Sequence, residues 1–124
     1  MRLMLDTQVM LWWLLNDPRL GPETRELMAA SPCVVSVASI WEVSIKHRLV
    51  KLSVAPAAFR DQSLAAGAVL LPVLDGHVIE TAQLPLVHHD PFDRLLIAQA
   101  RLEGLMAVSS DRHWPSYDVT LYRA

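Results

Sequence analysis

The sequence has one cysteine, no long apolar run and almost no net charge. A lone thiol, Cys33, excludes an internal disulfide and a thiolate cluster for zinc. Its neighbours in CVVSV mark it as a small buried side chain rather than a nucleophile. The most apolar stretch, VMLWWLL at residues 9–15, is too short to span a bilayer. An acid already stands at position 6, so the start lacks the uninterrupted apolar centre of a secretory signal. These absences predict a soluble cytoplasmic protein with no membrane partner. The formal charge of −2, from eleven Lys plus Arg against thirteen Asp plus Glu, excludes strong global attraction to a polyanion. It leaves room for a local basic rim, because nine of the eleven bases are arginines, whose planar fork suits phosphate. No internal repeat and no low-complexity segment is present.

What is present is a core. Hydrophobic types make up 52% and charged types 19% of 124 residues, the composition of one compact domain over residues 1–124. RLMLD (2–6) reads as a strand ending in an acid, and residues 8–15 as a short helix stopped by NDP. PETRELMAAS supplies a second helix with proline at its first position. CVVSV (33–37) is a β-branched strand, followed by helical spacing at Ile40, Val43, Ile45 and Leu49. Further on, a helix over 56–66 ends at Gly67 before AVLLP, and a helix is expected from Asp75 to Leu84. PFDRLLIAQARLEG is a helix with Gly104 at its stop; LMAVS (105–109) is a strand, and VTLY adds a last edge strand. Aliphatic strands separated by helices predict an α/β layer structure with a mainly parallel sheet.

That order concentrates acids in one kind of place. Asp6 follows the first strand, Ser110-Asp111 follows LMAVS, and Glu42 and Asp93 are expected in first turns of helices. In open parallel sheets, groups beyond the carboxyl ends of the strands meet in a crevice where strand order reverses. Capping explains each acid singly. Asp90-Pro91 is an N-cap followed by proline, with Asp93 at N3; Ser39 and Glu42 have capping-box spacing; Asp6 is positioned to cap; Asp111 is positioned to hold a turn. Capping does not explain why four acids fall on one edge of the sheet. Four carboxylates about 8 Å apart would repel by roughly 2 kcal/mol per pair, on the order of 12 kcal/mol in all, at an effective dielectric near 20. That rivals the whole stability of a small domain, so the set requires divalent cations, raised pKa values, or both.

Hard oxygen ligands select Mg²⁺, with Mn²⁺ the alternative, and such ions serve phosphodiester hydrolysis. Arg94, Arg112 and Lys46 are candidate phosphate contacts. The adjacent His88 and His89 do not readily face one point, and H-E-x-x-H spacing is missing, which argues against zinc. They are expected either as substrate contacts at the mouth of the site or as plain loop residues.

LMLDT, VSVASIWEVSIKHRLVKL, HHDPFDRLLIAQA and VSSDR, in this order over nearly the whole chain, resemble the PIN-domain family, specifically VapC-type toxins of bacterial toxin–antitoxin pairs. The resemblance implies a three-layer fold with a small parallel sheet between helices, and RNA cleavage with Mg²⁺ or Mn²⁺ held by Asp6, Glu42, Asp93 and Asp111. Asp90 becomes an additional acid with a capping role. Where the family commonly has DTH or DTS, this chain has DTQ with Gln8, and Ser109 keeps the hydroxyl where threonine is frequent. The resemblance also implies an antitoxin partner and a homodimer, for which the helix VMLWWLL offers apolar surface.

The leading expectation is a metal-dependent endoribonuclease that uses water as nucleophile. Asp6 and Asp93 are the expected principal metal ligands, Glu42 ligates or orients the water, and Asp111 completes the shell or holds water. Two other readings stand beside it. One is a Mg-dependent phosphomonoesterase with Asp6 as nucleophile, although DTQ lacks a second early acid. The other is a catalytically silent protein-binding module in which the acids only cap.

Overall fold

A computed structural model describes residues 1–124. The chain begins with β1 (Leu3–Leu5), α1 (Thr7–Leu14) and α2 (Pro22–Ala30), then β2 (Cys33–Ser36) and α3 (Val37–Arg48). It continues through α4 (Pro56–Ala65), β3 (Val69–Leu71) and α5 (Asp75–Glu80). The last part holds α6 (Pro91–Glu103), β4 (Met106–Ser109) and β5 (Leu121–Arg123). The five strands form one sheet in the order β3-β2-β1-β4-β5, and every pairing is parallel. The terminal edge strand forms two residues later than VTLY suggests, where Ala107 to Ser109 meet Leu121 to Arg123.

Helices cover both faces of the sheet, which completes the three-layer α/β architecture. Along β1, Leu3 and Leu5 enter one core with Val9, Met10, Met28, Val35 and Phe59. Met4 points the other way, into a second core with Val34, Leu96, Ile97, Ala107 and Trp114. Because both faces are covered, the strand reads LML without polar alternation. No helix is long and apolar enough to cross a membrane.

Local chemistry sets most helix ends. Proline occupies the first turn of α2, α4 and α6, where its missing N–H removes no helical hydrogen bond. Asp90 caps α6 by accepting from the backbone N–H of Phe92 and Asp93, and Gly104 closes that helix in the left-handed conformation at φ 64°. The helix expected over Asp75–Leu84 stops at Glu80 and tightens into a 3₁₀ turn, Thr81–Gln83.

Two capping expectations fail. Helix α3 starts three residues earlier than the S-x-x-E spacing implies: Ser36 is its N-cap and accepts from Ala38 N–H at 3.0 Å. Strand β2 holds Ser36 in register with Leu71, so the chain turns there and Ser39 is left inside the helix. Its hydroxyl instead accepts from Thr7 at 2.8 Å. Glu42 therefore lies in the second turn, not the first. Asp6 stands at the N-cap of α1, but its side chain makes no capping bond.

Candidate active site

Strand order reverses between β1 and β4, since β2 and β3 extend the sheet one way and β5 the other. The crevice beyond their carboxyl ends is the place where side chains from separate βα connections meet. Asp6 directly follows β1, and Asp111 follows β4 by two residues. Glu42 projects from α3, and Asp93 from the first turn of α6. All four line one cleft of about 200 Å³, together with Thr7, Gln8, Lys46, Asp90 and Ser110. Leu11 is its single apolar lining residue.

Three of these carboxylates are buried: Asp6 is 5% exposed, Glu42 6% and Asp93 7%. Asp6 Oδ2 accepts from the Ser109 hydroxyl at 2.7 Å, so the retained hydroxyl on β4 orients the first acid. Ser109 Oγ in turn accepts from Asp111 N–H at 3.0 Å, which ties the fourth acid to the same point. Asp111 Oδ1 accepts from His113 N–H at 2.8 Å, the expected turn, while its other oxygen lies 3.5 Å from His88 Nε2. Glu42 Oε2 pairs with Lys46 Nζ at 2.7 Å, and its buried Oε1 has no hydrogen-bond partner.

The cleft is electrostatically strained in the direction expected for crowded acids. Burial, reinforced by the charge of Asp93, raises the Asp6 pKa from 3.8 to about 7. Burial, reinforced by the charge of Asp90, raises that of Asp93 to about 6, against the hydrogen bond from His88. Both shifts disfavour the charged form, so any group that neutralises the cleft gains affinity from the relief. An orphaned Glu42 oxygen and several buried carboxylate oxygens lining the cleft fit a hard divalent cation.

Of the expected phosphate contacts, Lys46 lines the cleft as an ion-pair partner of Glu42. Arg112 is exposed beside Asp111. Arg94 is not available. Its guanidinium donates to the carbonyls of Pro85, Thr81 and Leu84, and it clamps the loop before α6. The sequence reading undervalued His88. Its Nε2 lies 2.7 Å from Asp93 Oδ2, whereas its neighbour His89 is exposed. The five-residue separation from Asp93 gives no helical or strand signal, because a loop and Pro91 lie between them. Gln8 is exposed at the rim of the cleft.

The sequence profile of the PIN domain matches residues 3–119. The chain belongs to the PIN-domain family. This PIN domain is similar in fold to a chain of the Rickettsia felis VapBC2 complex bound to a promoter DNA fragment, with a TM-score of 0.73 and 14% identity over 99% of this chain and 98% of that one. It is similar to a chain of DNA-bound VapBC from Salmonella typhimurium, with TM-score 0.71, 18% identity and the same coverage of 99% and 98%. A third structure is VapC20 of Mycobacterium tuberculosis, a sarcin-ricin loop cleaving toxin, at TM-score 0.54 and 19% identity over 85% of this chain and 86% of that one. No curated protein gives a significant sequence match.

Proposed function

We propose that this PIN domain is a VapC-type endoribonuclease, the toxin of a toxin–antitoxin pair, and that it hydrolyses RNA phosphodiesters with Mg²⁺ or Mn²⁺. The observation that carries the reading is the meeting of Asp6, Glu42, Asp93 and Asp111 from four separate connections in one polar cleft. Caps alone have no reason to converge, and none of these four acids makes the capping bond of a helix.

Asp6, Glu42, Asp93 and Asp111 would hold the cation. When bound, a divalent ion polarises phosphate oxygens, lowers the pKa of water and offsets charge on the leaving oxygen. The protein side of the chemistry follows from its own atoms. Glu42, which lines the cleft and has one oxygen without an internal partner, would orient an attacking water. Ser109 keeps Asp6 and Asp111 in register, so that both face the scissile phosphate. Lys46 lines the cleft and is the base available there to a flanking phosphate of the bound strand, with the exposed Arg112 next to Asp111 in the chain as a second candidate. Attack by water leaves 5′-phosphate and 3′-hydroxyl ends.

The toxin reading includes a protein partner and self-association. Val37, Trp41, Ile45 and Leu49 form an exposed apolar stripe at four-residue spacing on α3, and Val78 and Ile79 of α5 are exposed as well. Apolar surface of this extent is the kind that a second copy covers. The antitoxin is a cytoplasmic partner that would occlude the acidic cleft.

The test is cleavage of a mixed small-RNA pool by wild type and Asp93→Asn, with Mg²⁺, Mn²⁺ or EDTA. Cutting that needs a metal and vanishes in the folded variant supports the proposal. A 2′,3′-cyclic phosphate product overturns the hydrolytic mechanism. An inert, well-folded wild type in every metal favours the silent binding module, and a trapped aspartyl-phosphate on Asp6 favours the phosphomonoesterase.

A further inference from the structure

We propose that His88 is itself a metal ligand together with Asp93, and that its nitrogen turns the site away from Mg²⁺ toward a first-row transition ion such as Mn²⁺. This deepens the metal-dependent reading above and rests on it.

The geometry is already close to a chelate. Nε2 of His88 lies 2.7 Å from Asp93 Oδ2 and 3.5 Å from Asp111 Oδ2. Neighbouring ligands on an octahedral ion at about 2.1 Å are about 3 Å apart, so the His88–Asp93 separation is close to the required bite. One ligand atom from each of His88, Asp90 and Asp93 also falls within 4.8 Å of the others.

The imidazole is held in place rather than left on a free loop. The backbone N–H of His88 donates to the Tyr117 hydroxyl at 2.8 Å. Its ring packs against that of His113, with centroids 4.5 Å apart and planes tilted by 31°. Such bracing fixes the donor direction, as outer partners do for metal-binding histidines. Independently, Glu42, only 6% exposed, lines the cleft with Asp93 and has one buried oxygen without a partner. A lining residue thus carries an acceptor that no protein donor satisfies.

The nitrogen decides the class of ion. Mg²⁺ demands near-ideal octahedral oxygen coordination and gains little from imidazole. Affinity for mixed nitrogen and oxygen sites rises along the first transition row, where Mn²⁺ is the weakest member and a convenient spectroscopic probe.

The test uses the intact protein loaded with Mn²⁺ alone. Electron spin-echo modulation from ¹⁴N is expected in wild type and in His89→Ala, a change at the exposed neighbour, and lost in His88→Ala and His88→Gln. Calorimetric titration of the same samples should show Mn²⁺ affinity falling by about 10-fold or more in both His88 variants, with Mg²⁺ affinity changing by less than about 3-fold. Gln preserves a hydrogen-bond donor toward Asp93 without an imidazole nitrogen, so recovery of Mn²⁺ affinity in His88→Gln would overturn ligation in favour of mere positioning. Mn²⁺ bound to wild type without ¹⁴N modulation also overturns the proposal while leaving the carboxylate centre intact. Wild type that binds neither ion overturns the metal-dependent reading itself.

Discussion

Helices α3 and α6 each bring an acid to the cleft, and their starts divide capping from chemistry differently. At α6, cap and site acid share one turn: Asp90 accepts the backbone donors of Phe92 and Asp93, and Asp93 points its carboxylate to His88. At α3, a serine caps and the acid lies a turn further on, where Glu42 pairs with Lys46. In neither helix does the site acid supply the capping bond. The D-P-F-D arrangement places two acids three residues apart, and the first relieves the second of a backbone role. The cost is electrostatic, since the charge of Asp90 is a main reason, after burial, that the Asp93 pKa is raised.

Substitutions at the four positions separate these roles. The largest effect is expected for Asp93→Asn, which keeps the shape of the turn and removes the charge. Metal-dependent RNA cleavage should fall by about 10³-fold, equivalent to about 4 kcal/mol of transition-state stabilisation, with circular dichroism unchanged. Stability should follow pH with a definite sign. Asp6 and Asp93 have folded pKa values of about 7 and about 6, above the ordinary 3.8. Their stabilising contribution is therefore complete below 3.8 and is lost as pH rises through about 6 and then about 7. For Asp6 alone the difference corresponds to on the order of 4 kcal/mol. Urea midpoints of metal-free protein should accordingly rise as pH falls from 8 to 5, and saturating Mn²⁺ should flatten that dependence. A metal-free midpoint that is independent of pH would contradict the crowded-acid description.

The second helix gives a smaller chemical effect. Glu42→Gln should reduce cleavage by about 10²-fold, less than Asp93→Asn, because Lys46 keeps a polar partner while a charge is lost from the cleft. Asp90→Ala and Ser36→Ala should each cost about 1 kcal/mol in denaturant unfolding, as lost N-caps do. Asp90→Ala should also lower the pKa of Asp93, observable by NMR titration, whereas Ser36→Ala should leave it unmoved. The smallest change lies at the far end of α3. Val50, 91% exposed, sits at φ 59°, where Val50 N–H and Lys51 N–H close the helix on His47 and Lys46 carbonyls. A β-branched residue is strained there, so Val50→Gly should raise stability by about 1 kcal/mol. Loss of stability in that variant would mean that Val50 makes an apolar contact outside the monomer.

Much of this architecture was legible along the chain. Apolar runs such as LML and CVVS are buried on both faces, and a strand covered on both sides has to be aliphatic throughout. Proline and glycine marked α2, α4 and α6 because their backbone restrictions act within one or two residues. The four acids were legible as a set because the alternation of strands and helices puts strand exits on one edge. Less legible were choices between equivalent local options. Ser36 and Ser39 both suit an N-cap, and the pairing of Ser36 with Leu71 across the sheet selects the first. Arg94 suits a phosphate as well as three carbonyls, and only the path of the loop before α6 commits it to the carbonyls.

The sequence by itself determined the elements, their order, the parallel sheet and the placing of Asp6 and Asp111 after strands, because periodicity, caps and turn residues are local and repeat at fixed spacing. Tertiary structure alone decided that Ser109 orients Asp6 across 103 residues and that His88 reaches Asp93 and Asp111. It also decided that Asp6 and Asp93 are held far from their ordinary pKa values. Those properties depend on through-space distance and on exclusion of water, which exist only after separate connections have closed around the same cleft.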